Sequence, residues 1–320
     1  MVGQELEVRL GDTDDLRDRK RAAASPGVRQ KLDVLDEYER SGMLSPSVYV
    51  GKRVLDWECG AGEFAHAFAA REAKQVLAAD TWLSQQAIAA VPEFALMSDG
   101  SVVFEKTDIE DIATRVRAGR LAAFDLVFAN TVTEHFPNLP KQLSHAADAL
   151  TTGGYLFINH DNYYHPAGCH DHGFLQATGK VIHTAGPKCW ESEARCSVSD
   201  EHRQKVARER PWAWGEQFER TKDPTDCSRC AYYIRSQPWA HLLYQDTFKR
   251  IFPEAFRLDQ TLNKLTPFQV RQALIETGFQ ILVERHPQVD NVPPEQLLVG
   301  PYAFSRQTLT TWMVRVLARK

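Results

Sequence analysis

Between residues 53 and 158 the sequence alternates short apolar runs with segments of helical periodicity. This alternation is typical of repeated strand–helix crossovers, which build a parallel sheet covered by helices. It therefore predicts an α/β fold. The predicted strands are 53–57, 75–79, 102–106, 124–129 and 155–158, and the clearest predicted helices between them are 64–73 and 141–150.

The alternation stops at residue 160 and resumes near residue 265. The interval concentrates His, Cys, Trp and Tyr, and its length of about a hundred residues exceeds that of an ordinary loop. After it, 268–277 predicts a helix that Gly278 caps, and 279–284 and 312–317 predict two final strands. We therefore expect a Rossmann-like, doubly wound, mostly parallel seven-stranded sheet with a large insertion, a lid or subdomain, after its fifth strand.

Residues 1–45 predict two charged helices that precede the sheet. The second helix stops at Gly42 and carries an apolar stripe on one face, which predicts a docking surface. The stripe consists of Val28, Leu32, Leu35 and Tyr38. The expected organisation is a helical extension over 1–45, a core over 46–159, an insertion or substrate lid over 160–265, and the C-terminal part of the core over 266–320.

Length and composition limit the expected location and partners of the protein. Its 320 residues, 43% of them hydrophobic, can bury a core of their own. Its apolar runs are much shorter than a bilayer span and residues 1–15 are polar and acidic, so we expect a cytoplasmic protein without a membrane partner. A net charge of −4 gives no field that would attract nucleic acid. The six cysteines, without an export signal, predict reduced thiols or metal ligands and not disulfides.

The strand predicted at 53–57 leads into a glycine turn that opens a helix. In this turn Gly60 and Gly62 allow the backbone to approach a nucleotide closely. Asp80 closes the next apolar run, where a carboxylate can accept both hydroxyls of a ribose. Taken alone, these residues also fit the looser glycine pattern of nicotinamide-binding folds, so the nucleotide stays open at this point.

Further motifs, in the same order along the chain, resemble the class I S-adenosylmethionine-dependent methyltransferases. Asp56 matches the first acid of the family's D-x-G-x-G-x-G motif, and Asp108 with Ile109 follows the third strand, where the family binds adenine. Residues 124–136 resemble the family's fourth strand and the loop beneath the methionine moiety, and the final two strands resemble its closing antiparallel hairpin. The resemblance implies S-adenosylmethionine as cofactor, bound by Asp56, Glu58, Gly60, Gly62, Asp80, Asp108, Ile109, Asn130 and His135.

Glu58 departs from the family's pattern, because the first glycine of the loop usually stands at this position. A side chain here would point toward the methionine end of the cofactor, where it can hydrogen-bond the amino group or crowd the carboxylate. The alternative is that the loop tilts slightly and Glu58 faces a neighbouring helix or water. We favour this alternative, since a glycine motif tolerates single exceptions where φ is negative.

Methyl transfer requires a nucleophile held in line with an activated methyl group, and a base where that nucleophile must lose a proton. Ligands of open sheets lie beyond the carboxyl ends of the strands, which favours the His-rich segment after residue 159. The alternative is that these side chains satisfy one another in a rigid loop. The candidates for base and substrate positioning are His160, Tyr164, His170 and His172, with Asp161 or Asp171 orienting an imidazole.

Metal binding is a further interpretation of the same residues. The spacing of the histidines is not a recognised ligand motif, so no metal is predicted, although a four-thiolate zinc site formed by Cys189, Cys196, Cys227 and Cys230 stays open.

The predicted function is methyl transfer to an O, N or S nucleophile of a small molecule. The sequence leaves open whether the protein forms a homodimer. The alternatives are a non-methylating use of S-adenosylmethionine, a regulatory or interaction subunit, and a nicotinamide-dependent oxidoreductase.

Overall fold

A computed structural model describes residues 24–83, 101–166, 168, 239–243, 262–300 and 303–320. Its strands are β1 Arg53–Trp57, β2 Gln75–Ala79, β3 Val102–Glu105, β4 Phe124–Asn130, β5 Leu150–Asp161, β6 Gln280–Arg285 and β7 Met313–Arg319. They form one seven-stranded sheet in the order β3-β2-β1-β4-β5-β7-β6. The pairs β1–β2, β1–β4, β2–β3 and β4–β5 are parallel, and β6–β7 is antiparallel. The predicted mostly parallel, seven-stranded sheet is confirmed.

Helices flank the sheet, and several of the described helices begin after a residue whose side chain caps them. The first helix follows Ser25, whose hydroxyl accepts the N–H of Val28, and it ends before Gly42 at φ +70°. Within the described residues, no helix is both long and apolar enough to cross a membrane. The helices are α1 Pro26–Arg40, α2 Glu63–Ala70, α3 Ile109–Arg117, α4 Leu139–Ala149, α5 Ala240–Leu243, α6 Pro267–Glu276, α7 Glu295–Leu298 and α8 Arg306–Thr310, with 3₁₀ turns at Pro46–Val48 and Thr133–His135.

The apolar stripe of α1 is buried in the main core. Its four residues lie in one cluster with Phe68, Phe128 and Phe157, and α1 packs against α2. Fully burying a Leu or Val side chain contributes roughly 1.5–3 kcal/mol relative to leaving it exposed. The helical extension predicted before the sheet is therefore an integral part of the core.

The strand order places a topological switch point between β1 and β4. From β1 the chain continues outward to β2 and β3 on one side, and β4 then starts the other side with β5 next to it. Asp56 pairs in register with Phe128; β1 ends at Trp57, directly before Glu58, and β4 ends at Asn130. Open sheets bind ligands at the carboxyl ends of the strands at such a point.

The chain divides into two compact units. The first comprises Met1–His160, Gln269–Arg285 and Val314–Lys320, and the second comprises Asp161–Phe268 and His286–Met313. The second unit thus includes residues 286–313, which the sequence analysis assigned to the core. A reason is visible at Asn162, whose amide nitrogen donates to the carbonyl oxygens of Thr308 and Thr311 at 2.7 and 2.6 Å.

Candidate cofactor site

The turn between β1 and α2 requires glycine at two positions for different reasons. Gly62 has φ +82°, and a Cβ built on it would lie 2.3 Å from the Phe104 ring, so only glycine fits. Gly60 has φ +58°, and a Cβ built there would meet nothing within 4 Å. The turn therefore packs tightly at Gly62 and leaves open space at Gly60.

Asp80 holds this turn from the end of β2. Its Oδ2 accepts the backbone N–H of Gly60 at 2.9 Å, and its Oδ1 accepts that of Trp82 at 2.6 Å. The side chain is 7% exposed. Because a carboxylate oxygen has more than one lone pair, both oxygens keep acceptor capacity for hydroxyl groups. Asp80 can thus shape the turn and bind a ribose with the same carboxylate.

Asp56 lies beneath the turn and is only 3% exposed. The backbone N–H of Ala65 donates to it, whereas its Oδ2 is buried without a hydrogen-bond partner. Burial raises the pKa of Asp56 to about 7, and the nearby carboxylates of Asp80 and Glu63 act in the same direction. This predicted cofactor residue therefore lies where it supports the first turn of α2 from inside the core.

Glu58 has φ +55°, so the expected negative φ is wrong. The left-handed region is unfavourable for a residue with a Cβ by about 1–2 kcal/mol. The hydroxyl of Thr81 donates to Oε2 of Glu58 at 3.5 Å, which turns the side chain toward the end of β2. Burial raises the pKa of Glu58 to about 7, and the charges of Asp80 and Asp108 add to the increase. The acid is thus held beside Asp80 in spite of backbone strain.

The structure gives Asp108 a second role, which the sequence analysis missed. Its Oδ1 accepts the N–H of Asp111 at 2.8 Å and caps α3, while the residue stays exposed. Ile109, expected to pack on the adenine ring, is buried among the core residues. His135 ends the 3₁₀ turn after β4, with Nε2 3.9 Å from Oε1 of the buried Glu134. The sequence signal that could have shown the cap of α3 was an acidic residue, Asp108, directly before the helix.

Two of the proposed catalytic residues that the structure describes lie in different surroundings. His160 is 1% exposed, and its Nδ1 lies 2.9 Å from the hydroxyl of Thr133, so it is closed off from solvent. Asp161 has its Oδ1 3.2 Å from Nε2 of His165. The sequence analysis missed His165 as a partner of Asp161, although a spacing of four residues was visible.

Tyr164, proposed as a base or positioning residue, packs in the second unit. Its ring lies 4.8 Å from that of Phe304, and its carbonyl oxygen accepts the indole N–H of Trp239 at 3.0 Å. Burial raises the pKa of its phenol, so the hydroxyl keeps its proton. Outside the described residues lie His170, Asp171, His172, Cys189, Cys196, Cys227 and Cys230. The residues that are described contain no group of three or more His, Cys, Asp or Glu able to hold a metal.

The comparison with known families identifies this arrangement. A family model described as a methyltransferase domain matches residues 28–282, most of the chain. The chain belongs to this methyltransferase family. The methyltransferase is 33% identical over 109 residues to a ubiquinone biosynthesis O-methyltransferase of Idiomarina loihiensis, a match that covers 34% of this chain and 42% of that protein.

Solved structures of other proteins also align with the methyltransferase. An S-adenosylmethionine-dependent methyltransferase of Mesorhizobium loti aligns at 18% identity with a TM-score of 0.42, over 88% of this chain and 95% of that one. An O-methyltransferase family protein of Burkholderia thailandensis aligns at 13% identity with a TM-score of 0.42, over 95% of this chain and 59% of that one.

The cofactor of the methyltransferase is S-adenosylmethionine, and the residues of the turn fit it. The open space at Gly60 leaves room for a ligand beside the backbone. Asp80 keeps acceptor capacity for ribose hydroxyls. The charges of Asp80 and Asp108 both act on the carboxyl group of Glu58, so acidic groups are concentrated where a cationic cofactor would bind.

Proposed function

We propose that the methyltransferase transfers a methyl group to an O, N or S nucleophile of a small molecule in the cytoplasm. The observation that carries this proposal is the pair formed by Asp161, the last residue of β5, and His165. A net charge of −4 supports a small acceptor over nucleic acid, because it provides no field for a phosphate backbone. S-adenosylmethionine supplies, when bound, a methyl group already activated on a sulfonium.

The Asp161–His165 pair is suited to removing a proton from the acceptor. Both side chains are largely buried, and the carboxylate oxygen lies 3.2 Å from Nε2 of the imidazole. A carboxylate on one ring nitrogen fixes the tautomer and stabilises the imidazolium that forms when the other nitrogen takes a proton. We propose His165 as the base, Asp161 as the residue that orients it, and His170 and His172 as further candidates for positioning the acceptor.

His160 has a different role in this proposal. Its Nδ1 lies next to the hydroxyl of Thr133, and both residues are buried. A buried imidazole in a hydrogen-bonded pair is a poor acceptor for a substrate proton, since the substrate cannot reach it. We therefore propose that His160 holds the 3₁₀ turn after β4 against the end of β5.

The test offers S-adenosylmethionine with a labelled methyl group to two fractions of one cell extract, the ultrafiltrate of small molecules and the retained macromolecules. We expect label to enter a compound of the ultrafiltrate, together with formation of S-adenosylhomocysteine. Label found only in the retained nucleic acid or protein, or in neither fraction, contradicts the proposal.

The base is tested in the same assay with His165→Gln and Asp161→Asn. Each should lower turnover, by roughly 10²–10⁴-fold for loss of a general base, while the affinity for S-adenosylhomocysteine is retained. His145→Gln is the matched control, because His145 lies on α4 beside Glu110 and takes no part in the proposed chemistry. Unchanged turnover in both variants would remove the pair from the mechanism.

A further inference from the structure

Helix α1 brings a tyrosine hydroxyl to the carboxyl ends of β4 and β5. The ring of Tyr38 lies 4.9 Å from that of Phe157, and the guanidinium of Arg315 lies 5.2 Å above its centre. Tyr38 is 1% exposed, and its hydroxyl donates to Oδ1 of Asn130 at 2.7 Å. The ring is therefore held by packing, and the hydroxyl is left for one specific contact at the end of β4.

A second asparagine completes the contact. Asn159 is the register partner of Asn130 on β5, and its amide nitrogen lies 3.2 Å from Oδ1 of Asn130 and 3.3 Å from the Tyr38 hydroxyl. The side-chain oxygen Oδ1 of Asn130 thus accepts two hydrogen bonds, one from Tyr38 and one from Asn159. With the Asn159 nitrogen as donor, a reversed Asn130 amide would place donor against donor, so in this network the side-chain oxygen of Asn130 faces Tyr38.

The amide nitrogen of Asn130 is consequently directed away from Tyr38, toward the turn that follows β4. It lies 3.2 Å from the hydroxyl of Thr131, a β-branched residue at φ +54°. This conformation is strained, and it is held by a hydrogen bond from the N–H of Thr131 to the carbonyl of Asn159 at 2.7 Å. Strain of this kind persists where the surroundings over-determine the backbone, as they do at ligand sites.

The position of Asn130 relates this network to the cofactor. Asn130 is the last residue of β4, at the carboxyl end of the strand that pairs with β1 at the switch point, where open sheets bind their ligands. We propose that Tyr38 is a positioning residue that orients the Asn130 amide, so that its N–H binds the carboxylate at the amino-acid end of S-adenosylmethionine. The proposal depends on the family's cofactor and not on the acceptor proposed above. Burial raises the pKa of Tyr38 to about 12, so its hydroxyl remains a donor at every working pH.

The test compares two ligands that differ at the amino-acid end. S-adenosylhomocysteine carries the carboxylate, and 5′-methylthioadenosine lacks both the carboxylate and the amino group. Tyr38→Phe keeps the ring and removes the hydroxyl, so calorimetry should show affinity for S-adenosylhomocysteine lowered by about tenfold, as for a weakened hydrogen bond to a charged group. Affinity for 5′-methylthioadenosine should change by less than about twofold, since that ligand has no carboxylate to lose.

Equal losses for both ligands, or no loss for either, overturn the proposal. Tyr49→Phe is the matched control, since it removes a buried tyrosine hydroxyl that donates to Glu39 on α1 and not to a strand end. It should bind both ligands as the wild-type protein does.

Asn130→Ala provides an independent variant that leaves α1 unchanged. It should show the same selective loss of affinity for S-adenosylhomocysteine. Adding Tyr38→Phe to it should cause little further loss, because both changes affect the same interaction with the carboxylate. Additive losses in the double variant contradict the proposal. Failure of the wild-type protein to bind S-adenosylhomocysteine would instead contradict the cofactor itself, so the two failures are distinguishable.

Discussion

The backbone N–H of Gly60 donates to Oδ2 of Asp80 at 2.9 Å, which ties the glycine turn after β1 to the end of β2. Through this bond the residue expected to bind the ribose also shapes the loop that faces it. The two functions share one carboxylate because neighbouring parallel strands end at the same edge of the sheet.

Asp80→Ala should therefore weaken the binding of S-adenosylhomocysteine strongly. The variant loses hydrogen bonds from ribose hydroxyls to a charged acceptor, each worth about 1.5–3 kcal/mol, and it also releases Gly60. Calorimetry measures the loss. Asp148→Ala removes an exposed carboxylate that pairs with Arg117 and should leave affinity unchanged. Wild-type affinity in Asp80→Ala would remove Asp80 from the site.

Two glutamates with positive φ permit a controlled test of strain in the glycine turn. Glu58 has φ +55° and Glu72 has φ +66°, but only Glu58 lies in the turn. Glycine at either position should stabilise the protein, on the order of 1 kcal/mol, because it removes the left-handed penalty. Thermal unfolding of Glu58→Gly and Glu72→Gly measures this gain.

Only Glu58→Gly should also change cofactor binding. Removing an acid beside Asp80 reduces the negative charge at the site, so affinity should fall more for cationic S-adenosylmethionine than for S-adenosylhomocysteine. The ratio of the two Kd values, measured at pH 8 for both glycine variants, tests this. An unchanged ratio in Glu58→Gly would mean that Glu58 has no electrostatic role.

The buried carboxyl of Asp56 should make stability depend on pH. Burial raises its pKa from 3.8 to about 7, so the folded protein keeps a proton that the unfolded chain has lost between these values. This contribution is complete below about pH 4 and disappears as pH rises through about 7, at up to about 1.4 kcal/mol per pH unit. Glu58, whose pKa is also raised to about 7, acts in the same direction.

Asp56→Asn resembles the protonated acid and should remove the part of this dependence that comes from Asp56. The unfolding temperature of the variant relative to wild type should increase from pH 5 to pH 8, whereas the exposed Asp148→Asn should show no such trend. A constant difference between Asp56→Asn and wild type across that range would show that Asp56 titrates normally.

Two substitutions separate the two roles of Asp108. Asp108→Ala removes the cap of α3 and should lower the free energy of unfolding by about 1 kcal/mol, whereas Asp108→Asn keeps a capping oxygen. If the carboxylate also binds the adenine amino group, both variants should bind S-adenosylhomocysteine more weakly. Loss of stability in Asp108→Ala alone, with affinity unchanged in both, would leave Asp108 as a helix cap only.

Features that depend on neighbours in the chain were accessible from the sequence alone. The apolar periods predicted the strands and the buried face of α1, because side chains repeat with the period of the element that carries them. Gly60 and Gly62 were recognisable because a tight turn into a helix needs positive φ, which both adopt.

Features that depend on contacts between distant segments required the tertiary structure. Tyr38 was predicted only as part of an apolar stripe, yet its hydroxyl donates a hydrogen bond to a residue 92 positions away. The periodicity of a helix or strand does not reveal a contact at this sequence separation. The positive φ of Glu58 and Thr131 was likewise invisible, because neither residue type favours it locally. The hydrogen bond from Thr131 to Asn159 is one of the contacts that hold such a conformation, and it forms only when β4 and β5 end side by side.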